Sequence, residues 1–136
     1  MLITYSFGNY VSLKFYVTIF SKGGKMMNNV ILVGRLTSEP EVCEIDGNKK
    51  VTTVILAVNR NFKNQDGIYE TDFVRCILWN NIASSTTEYC HVGDVVGVKG
   101  RLQSGKYEDE NGKVHYITDV VAERVTFLSS KKKEDK

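Results

Sequence analysis

Thr71-Asp72-Phe73-Val74-Arg75-Cys76-Ile77-Leu78-Trp79 reads as a strand with two unlike faces. Successive side chains of an extended chain point to opposite sides, so Asp72, Val74, Cys76 and Leu78 share one side and Thr71, Phe73, Arg75, Ile77 and Trp79 the other. Val74, Cys76 and Leu78 are apolar and small enough to fill a barrel. The opposite side presents an aromatic ring, a cation, an aliphatic chain and a second ring. The same sorting recurs in residues 95–102. There Val96, Val98 and Leu102 face inward, while Lys99 and Arg101 face outward and are joined by Tyr107 when the register continues through Gly105. Arg60 and Phe62 share a parity at the end of an earlier strand and are followed by Lys63.

Working outward from that strand, residues 28–36 form an apolar run, and residues 42–45 a short strand closed by Asp46, Gly47 and Asn48. Residues 51–59 form a β-branched strand. Asn64, Gln65, Asp66 and Gly67 supply the chemistry of a long hairpin tip. After Trp79, Asn81 is placed to cap a short helix carrying Ile82, Ala83, Tyr89 and Cys90 on one face and stopped near Gly93. A last hairpin pairs residues 106–108 with 114–128 through Asn111-Gly112, which suits a type I′ turn. Val, Ile, Thr, Tyr and Phe are abundant and Pro40 is the one proline, a bias toward strands. The class is therefore all-β. Five substantial strands with one short helix between strands 3 and 4 give the element order of an OB-fold barrel, whereas an SH3-like barrel has no need of that helix. OB barrels bind oligonucleotides or oligosaccharides on the face of their second and third strands.

A chain of 136 residues fits one domain, and 42% hydrophobic with 25% charged residues is an ordinary globular balance. The 18 basic and 16 acidic residues give a formal charge of +2, but Lys14, Lys22 and Lys25 fall in the first 26 residues, leaving 15 against 16 in the remainder. Net charge thus does not announce a nucleic-acid binder; the argument rests on where cations sit. Cys43, Cys76 and Cys90 are an odd number without C-x-x-C spacing, and His91 and His115 lie far apart, so neither a disulfide framework nor a metal site is expected. Reduced thiols fit a cytoplasmic protein.

Residues 1–26 differ in composition from residues 27–136 and read as a dispensable or disordered extension, with Met26 and Met27 standing before the first strong strand. The apolar part, residues 11–20, is about half of the ~20 residues a spanning helix needs and is broken by Lys14. Cations before an apolar run and an A-x-A site, the marks of a secretory leader, are not found there. Its alternation also allows an added edge strand. Residues 27–128 form the binding domain, and residues 129–136 a charged, disordered tail.

Single-stranded nucleic acid offers π faces that stack on Phe, Tyr and Trp for about 1–3 kcal/mol per base, and phosphates that need Lys or Arg between them. Interleaved rings and cations on one outward face meet both needs. Taken singly, an aromatic such as Trp79 or Phe73 belongs as readily in a core or subunit contact. Arg75, Lys99 and Arg101 taken singly fit a solvated face with cross-strand ion pairs. Their joint placement favours binding.

Asn28-Asn29-Val30-Ile31-Leu32-Val33-Gly34-Arg35-Leu36, Leu56-Ala57-Val58-Asn59-Arg60-Asn61-Phe62, Glu88-Tyr89 and Gly93-Asp94-Val95-Val96-Gly97-Val98-Lys99-Gly100-Arg101-Leu102 resemble the bacterial single-stranded-DNA-binding protein family from about residue 28 to residue 128. The resemblance implies OB-fold protomers assembled as a homotetramer, with a dimer as the alternative. Residues 51–58, apolar on both faces, agree with such assembly. It also implies single-stranded DNA wrapped by stacking on aromatics in replication, recombination, repair or DNA uptake. Phe62, Phe73, Trp79 and Tyr107 match the stacking positions. Arg35, Arg60, Arg75, Arg101 and Lys106 match phosphate contacts, to which the strand reading adds Lys63 and Lys99. The ending Ser129-Ser130-Lys131-Lys132-Lys133-Glu134-Asp135-Lys136 departs from the acidic, hydrophobic tip of replicative members. That argues against recruiting replication proteins through the tail, and resembles either short forms associated with DNA uptake or mobile elements or a truncated chain.

Neither a nucleophile triad nor G-x-x-x-x-G-K-[ST] occurs, and Glu108, Asp109 and Glu110 beside Asn111-Gly112 read as a solvated hairpin tip, so an enzyme is not expected and no cofactor is implied. Gly97 and Gly100 lie in a strand pattern, where glycine marks a bend or bulge. A replication-restart accessory protein acting through protein contacts, or an oligosaccharide-binding barrel, are the competing readings. No membrane partner is expected.

Overall fold

The computed structural model describes residues 26–129 and the backbone of two N-terminal strands, β1 (Leu2–Phe7) and β2 (Val11–Tyr16). These two pair antiparallel in a two-stranded sheet of their own rather than adding an edge to the main sheet. The rest of the sequence's N-terminal extension, and the charged tail from residue 130, lie outside the described residues.

The main sheet contains β3 (Val30–Leu36), β4 (Cys43–Ile45), β5 (Lys49–Lys63), β6 (Tyr69–Trp79), β7 (Val95–Glu108) and β8 (Val114–Ser129), and α1 (Asn80–Tyr89) lies between β6 and β7. The order β3-β7-β8-β6-β5-β4, with β3 also pairing β5, closes a five-stranded OB-fold barrel from the long strands. Its helix follows the third long strand, as the sequence indicates.

The inward set is the one alternation selects: Val54, Leu56, Cys76, Leu78, Val96 and Val98 are fully buried, with Val120 and Ala122 from β8. At about 25 cal/mol per Å² of apolar surface, each such side chain contributes about 1.5–3 kcal/mol relative to exposure. Burial pushes the Cys76 thiol, near Asp119, and the Cys90 thiol, near Asp94, each up to about 11, which leaves both protonated at neutral pH. All three cysteines are free, and Cys43 is exposed.

Four details depart from the sequence reading. Leu102 is 46% exposed instead of inward, because β3, which begins at the Val30–Gly100 pair, no longer flanks β7 there. The Asn28 side chain continues the vanished ladder there: its Oδ1 accepts from Leu102 N and its Nδ2 donates to Leu102 O, both at 2.8 Å. Trp79, not Asn81, occupies the N-cap position. Asn80 takes the left-handed conformation (φ 51°), and its Oδ1 accepts from Lys50 N at 3.3 Å, pinning the strand–helix corner to β5. Ala83 and Thr86 form the buried stripe of α1, while Tyr89 is exposed and packs its ring 6.1 Å from Phe127.

The fourth difference concerns the last hairpin, which is one continuous pair of long strands rather than a separate short unit. Its tip is not a type I′ turn. Gly112 alone has positive φ (77°), and Asp109 organises the loop: Oδ1 accepts from Asn111 N and Lys113 N, and Asp109 N donates to Lys113 O. The β5–β6 tip repeats this plan. Asn64 Oδ1 accepts from Asp66 N and Ile68 N, and Gly67 supplies φ 76°.

The ladder between β7 and β8 is offset at Lys99/Gly100, and a Cβ built on Gly100 would lie 2.1 Å from the Val121 carbonyl oxygen. That close approach lets the two backbones cross at the barrel end. Gly100→Ala should therefore lower stability by about 3 kcal/mol or more, a loss measurable as an earlier midpoint in urea unfolding. A midpoint equal to that of the parent chain would show that the crossing tolerates a side chain.

Candidate nucleic-acid interface

Directly paired residues share a face, so register locates the outward side chains. Trp79 stands opposite Val51, and Phe73 opposite Ala57, which also pairs Arg35. Between these rows, Thr53, Ile77, Val121 and Arg101 form one line across four strands. Ile55 pairs Arg75, whose Nε lies 3.6 Å from Asp119 Oδ1, and Gln103 stands opposite Asp119. Arg101 Nη2 donates to Gln103 Oε1 at 3.0 Å. Ring, cation and ring thus follow one another along β6, and a second cation faces them from β7.

The four predicted rings are open to solvent: Phe73 is 69%, Phe62 60%, Tyr107 53% and Trp79 37% exposed. They do not, however, lie on one face. Lys63 pairs Tyr69 past an irregularity in which Arg60, Asn61 and Phe62 oppose only Glu70. An excess of two residues leaves parity unchanged, so Lys63 and Tyr69 stay on the side of Asn59, Thr71 and Phe73, with Lys63 Nζ 5.5 Å from the Tyr69 ring centre. Arg60 and Phe62 fall on the other side of the hairpin, the Arg60 guanidinium 5.9 Å from the Phe62 ring centre.

Arg60 is also the most engaged of the predicted cations. Its Nε and Nη2 donate to Asp72 at 2.7–3.1 Å, and its Nη1 meets Glu70 Oε2. The Arg60 hydrogen bond holds the Asp72 carboxyl below its usual range. Arg35 is anchored differently, Nη1 donating to Gly93 O at 2.9 Å. Lys99 pairs Ile31 and Arg124 on a part of the barrel beyond the Arg101 row. Lys106 and Tyr107, being neighbours in a strand, point to opposite faces: Lys106 stands beside Tyr116, which is 83% exposed, and Tyr107 beside His115. The sequence reading missed Tyr69, Tyr116 and His115. Parity gives a signal for the first, and pairing across the Asn111-Gly112 tip for the others.

Tyr107 and His115 rings stack at 5.0 Å with 17° between their planes, and His115 Nε2 donates to Asp109 Oδ2 at 2.7 Å. The Asp109 carboxyl is lowered by that bond first and by the Lys113 and Asn111 amides besides. Among the described residues no His, Cys, Asp and Glu cluster could hold a metal ion, and no helix is long and apolar enough to cross a membrane.

Barrel, rings and cations together define an oligonucleotide-binding OB module. The comparisons specify it: residues 27–128 match the Single-strand binding protein family, and the chain belongs to that family. It is 46% identical over 109 residues to "Single-stranded DNA-binding protein B" of Bacillus subtilis (strain 168), covering 80% of this chain and 96% of that one. It is 43% identical over 106 residues to "Single-stranded DNA-binding protein 3" of Streptococcus agalactiae, covering 78% and 77% respectively. A solved structure, "Plasmodium falciparum SSB complex with ssDNA", superposes with a TM-score of 0.70 at 27% identity, over 79% of this chain and 99% of that one.

Asp72 and Asp109 have folded-state pKa values below the ordinary 3.8, so the stability they contribute is present above that value and lost as the pH falls through the folded values. Asp72→Asn should flatten the fall in unfolding midpoint below about pH 4. An acid limb as steep as that of the parent chain would remove the Arg60–Asp72 pair from the acid response.

Proposed function

We propose that this chain binds single-stranded DNA without base preference, stacking bases on exposed rings and holding phosphates with arginines and lysines. The observation that carries the reading is the open face of β6, where Phe73, Arg75 and Trp79 alternate beside Arg101 of β7. The family and the relatives' names support it. Rings accept any base because every base has a π face, which makes the binding tolerant of sequence. Phe62 and Tyr107 extend the contact onto the two hairpins, and Arg35, Lys63, Lys99 and Lys106 are the outlying phosphate partners. Arg60 would join them only by exchanging carboxylates for phosphate.

The role is non-catalytic: covering exposed strands in the cytoplasm during replication, recombination, repair or uptake. Residues 27–128 form the binding domain. Self-association as a homotetramer accounts for the outward apolar side chains Ile31 and Val33 of β3, exposed in the single chain.

Trp79 is the only tryptophan. Adding oligo-dT should quench its emission, and unchanged emission during demonstrated binding would take Trp79 out of the stacking set. Phe73→Ala or Tyr107→Ala should weaken binding by about 1–3 kcal/mol at any base sequence. The logarithm of affinity should fall with that of salt by about 0.7 per phosphate contact, and Arg101→Ala should remove one contact's share. A flat salt response would point to a neutral ligand such as an oligosaccharide. Native mass measurement should give four copies per particle; a single copy at working concentration would refute assembly.

A further inference from the structure

The Tyr107 ring is not free-standing. His115, directly across the β7–β8 ladder, covers one of its faces at 5.0 Å and nearly parallel, leaving the other face to solvent. The imidazole is in turn held by Asp109 Oδ2, while the Oδ1 of the same carboxylate accepts the Asn111 and Lys113 amides. One carboxylate therefore ties the turn to the imidazole, and the imidazole backs the ring. We infer that His115 is a positioning residue for DNA binding, holding the Tyr107 ring in the pose that accepts a base on its open face. This rests on the reading that Tyr107 stacks on DNA.

The physical effect is preorganisation. An exposed tyrosine at the end of a hairpin samples several rotamers, and binding must collapse them. A ring clamped beforehand by a fixed neighbour loses less freedom when a base arrives, which strengthens binding without any new contact to the ligand. His115 suits this duty because it is flat enough to stack and has a nitrogen to anchor. Ring centres 5.0 Å apart leave no room for a base between them, since a base inserted into the stack needs roughly twice the usual separation of about 3.5 Å.

The test is a double-mutant cycle on the full chain with oligo-dT, read by fluorescence titration. His115→Ala should weaken binding about two- to tenfold, as expected for one side chain's ordering cost. In a Tyr107→Ala background the same substitution should do nothing further. His115→Phe, which keeps a flat ring against Tyr107 but gives up the Asp109 anchor, should recover part of the affinity that His115→Ala loses. Proton NMR supplies a readout of the stack itself: the His115 ring protons should be shifted upfield by Tyr107, stay shifted in the DNA complex, and return to ordinary positions in Tyr107→Ala. If His115→Ala also lowers the unfolding midpoint, His115→Phe decides, because it preserves the packing. Any of these results would overturn the inference: equal losses from His115→Ala with and without Tyr107, no recovery in His115→Phe, or collapse of the ring shift on binding DNA. If Tyr107→Ala itself leaves affinity unchanged, the stacking role of Tyr107 falls first and takes the inference with it. A weakened Tyr107→Ala beside an unaffected His115→Ala sinks only the inference.

Discussion

The packing of Val54, Leu56, Cys76, Leu78, Val96 and Val98 inside the closed barrel determines where the neighbouring side chains of β5, β6 and β7 within the barrel can point. A strand has two faces, and a slip of one residue would exchange them. Because one face is fully consumed by the core, Phe73, Arg75, Trp79 and Arg101 have no choice but to stand outside. The interface is thus a by-product of core packing: six buried apolar side chains hold the register, and the register displays the rings.

Beyond the barrel that constraint lapses, and different interactions take over. Where β5–β6 and β7–β8 run on as free hairpins, neither face is buried by the core, and local chemistry sets orientation. In one hairpin Arg60 is clasped by Asp72 and Glu70, which leaves its charge matched before any ligand arrives. In the other, Asp109 and His115 support Tyr107. The two arms therefore differ in what holds them: carboxylates engage the cation of the first, and an imidazole backs the ring of the second.

The strand faces within the barrel could be read from residues 71–79 and 95–101 because alternation is a local property and a buried face enforces it. The element order, the helix position and the open rings followed from the same pattern. What could not be read were effects of pairing between distant segments. Nothing near Arg60 in sequence says that β5 carries extra residues opposite Glu70, and so nothing foretold its salt bridges, although alternation from Leu56 and Val58 already places Phe62 on the side away from Phe73. Leu102 looked like core because the strand pattern alone does not reveal where β3 stops. The misplaced Tyr89 reflects a helix too short for its apolar stripe to be unambiguous. Lys106 is different: its neighbour Tyr107 points outward by the same alternation, so the opposite orientation of Lys106 was legible in the sequence.

The two hairpin tips share an economy. Asn64 and Asp109 each use one side-chain oxygen to gather the amides that a turn would otherwise leave unpaired, and Gly67 and Gly112 absorb the left-handed bend. The side chains of Gln65, Asp66, Glu110 and Asn111 take no part in those hydrogen bonds. Each tip is accordingly a socket whose frame is held from one end, and the intervening positions can carry a grafted dye, affinity peptide or cross-linking handle while the frame keeps its shape.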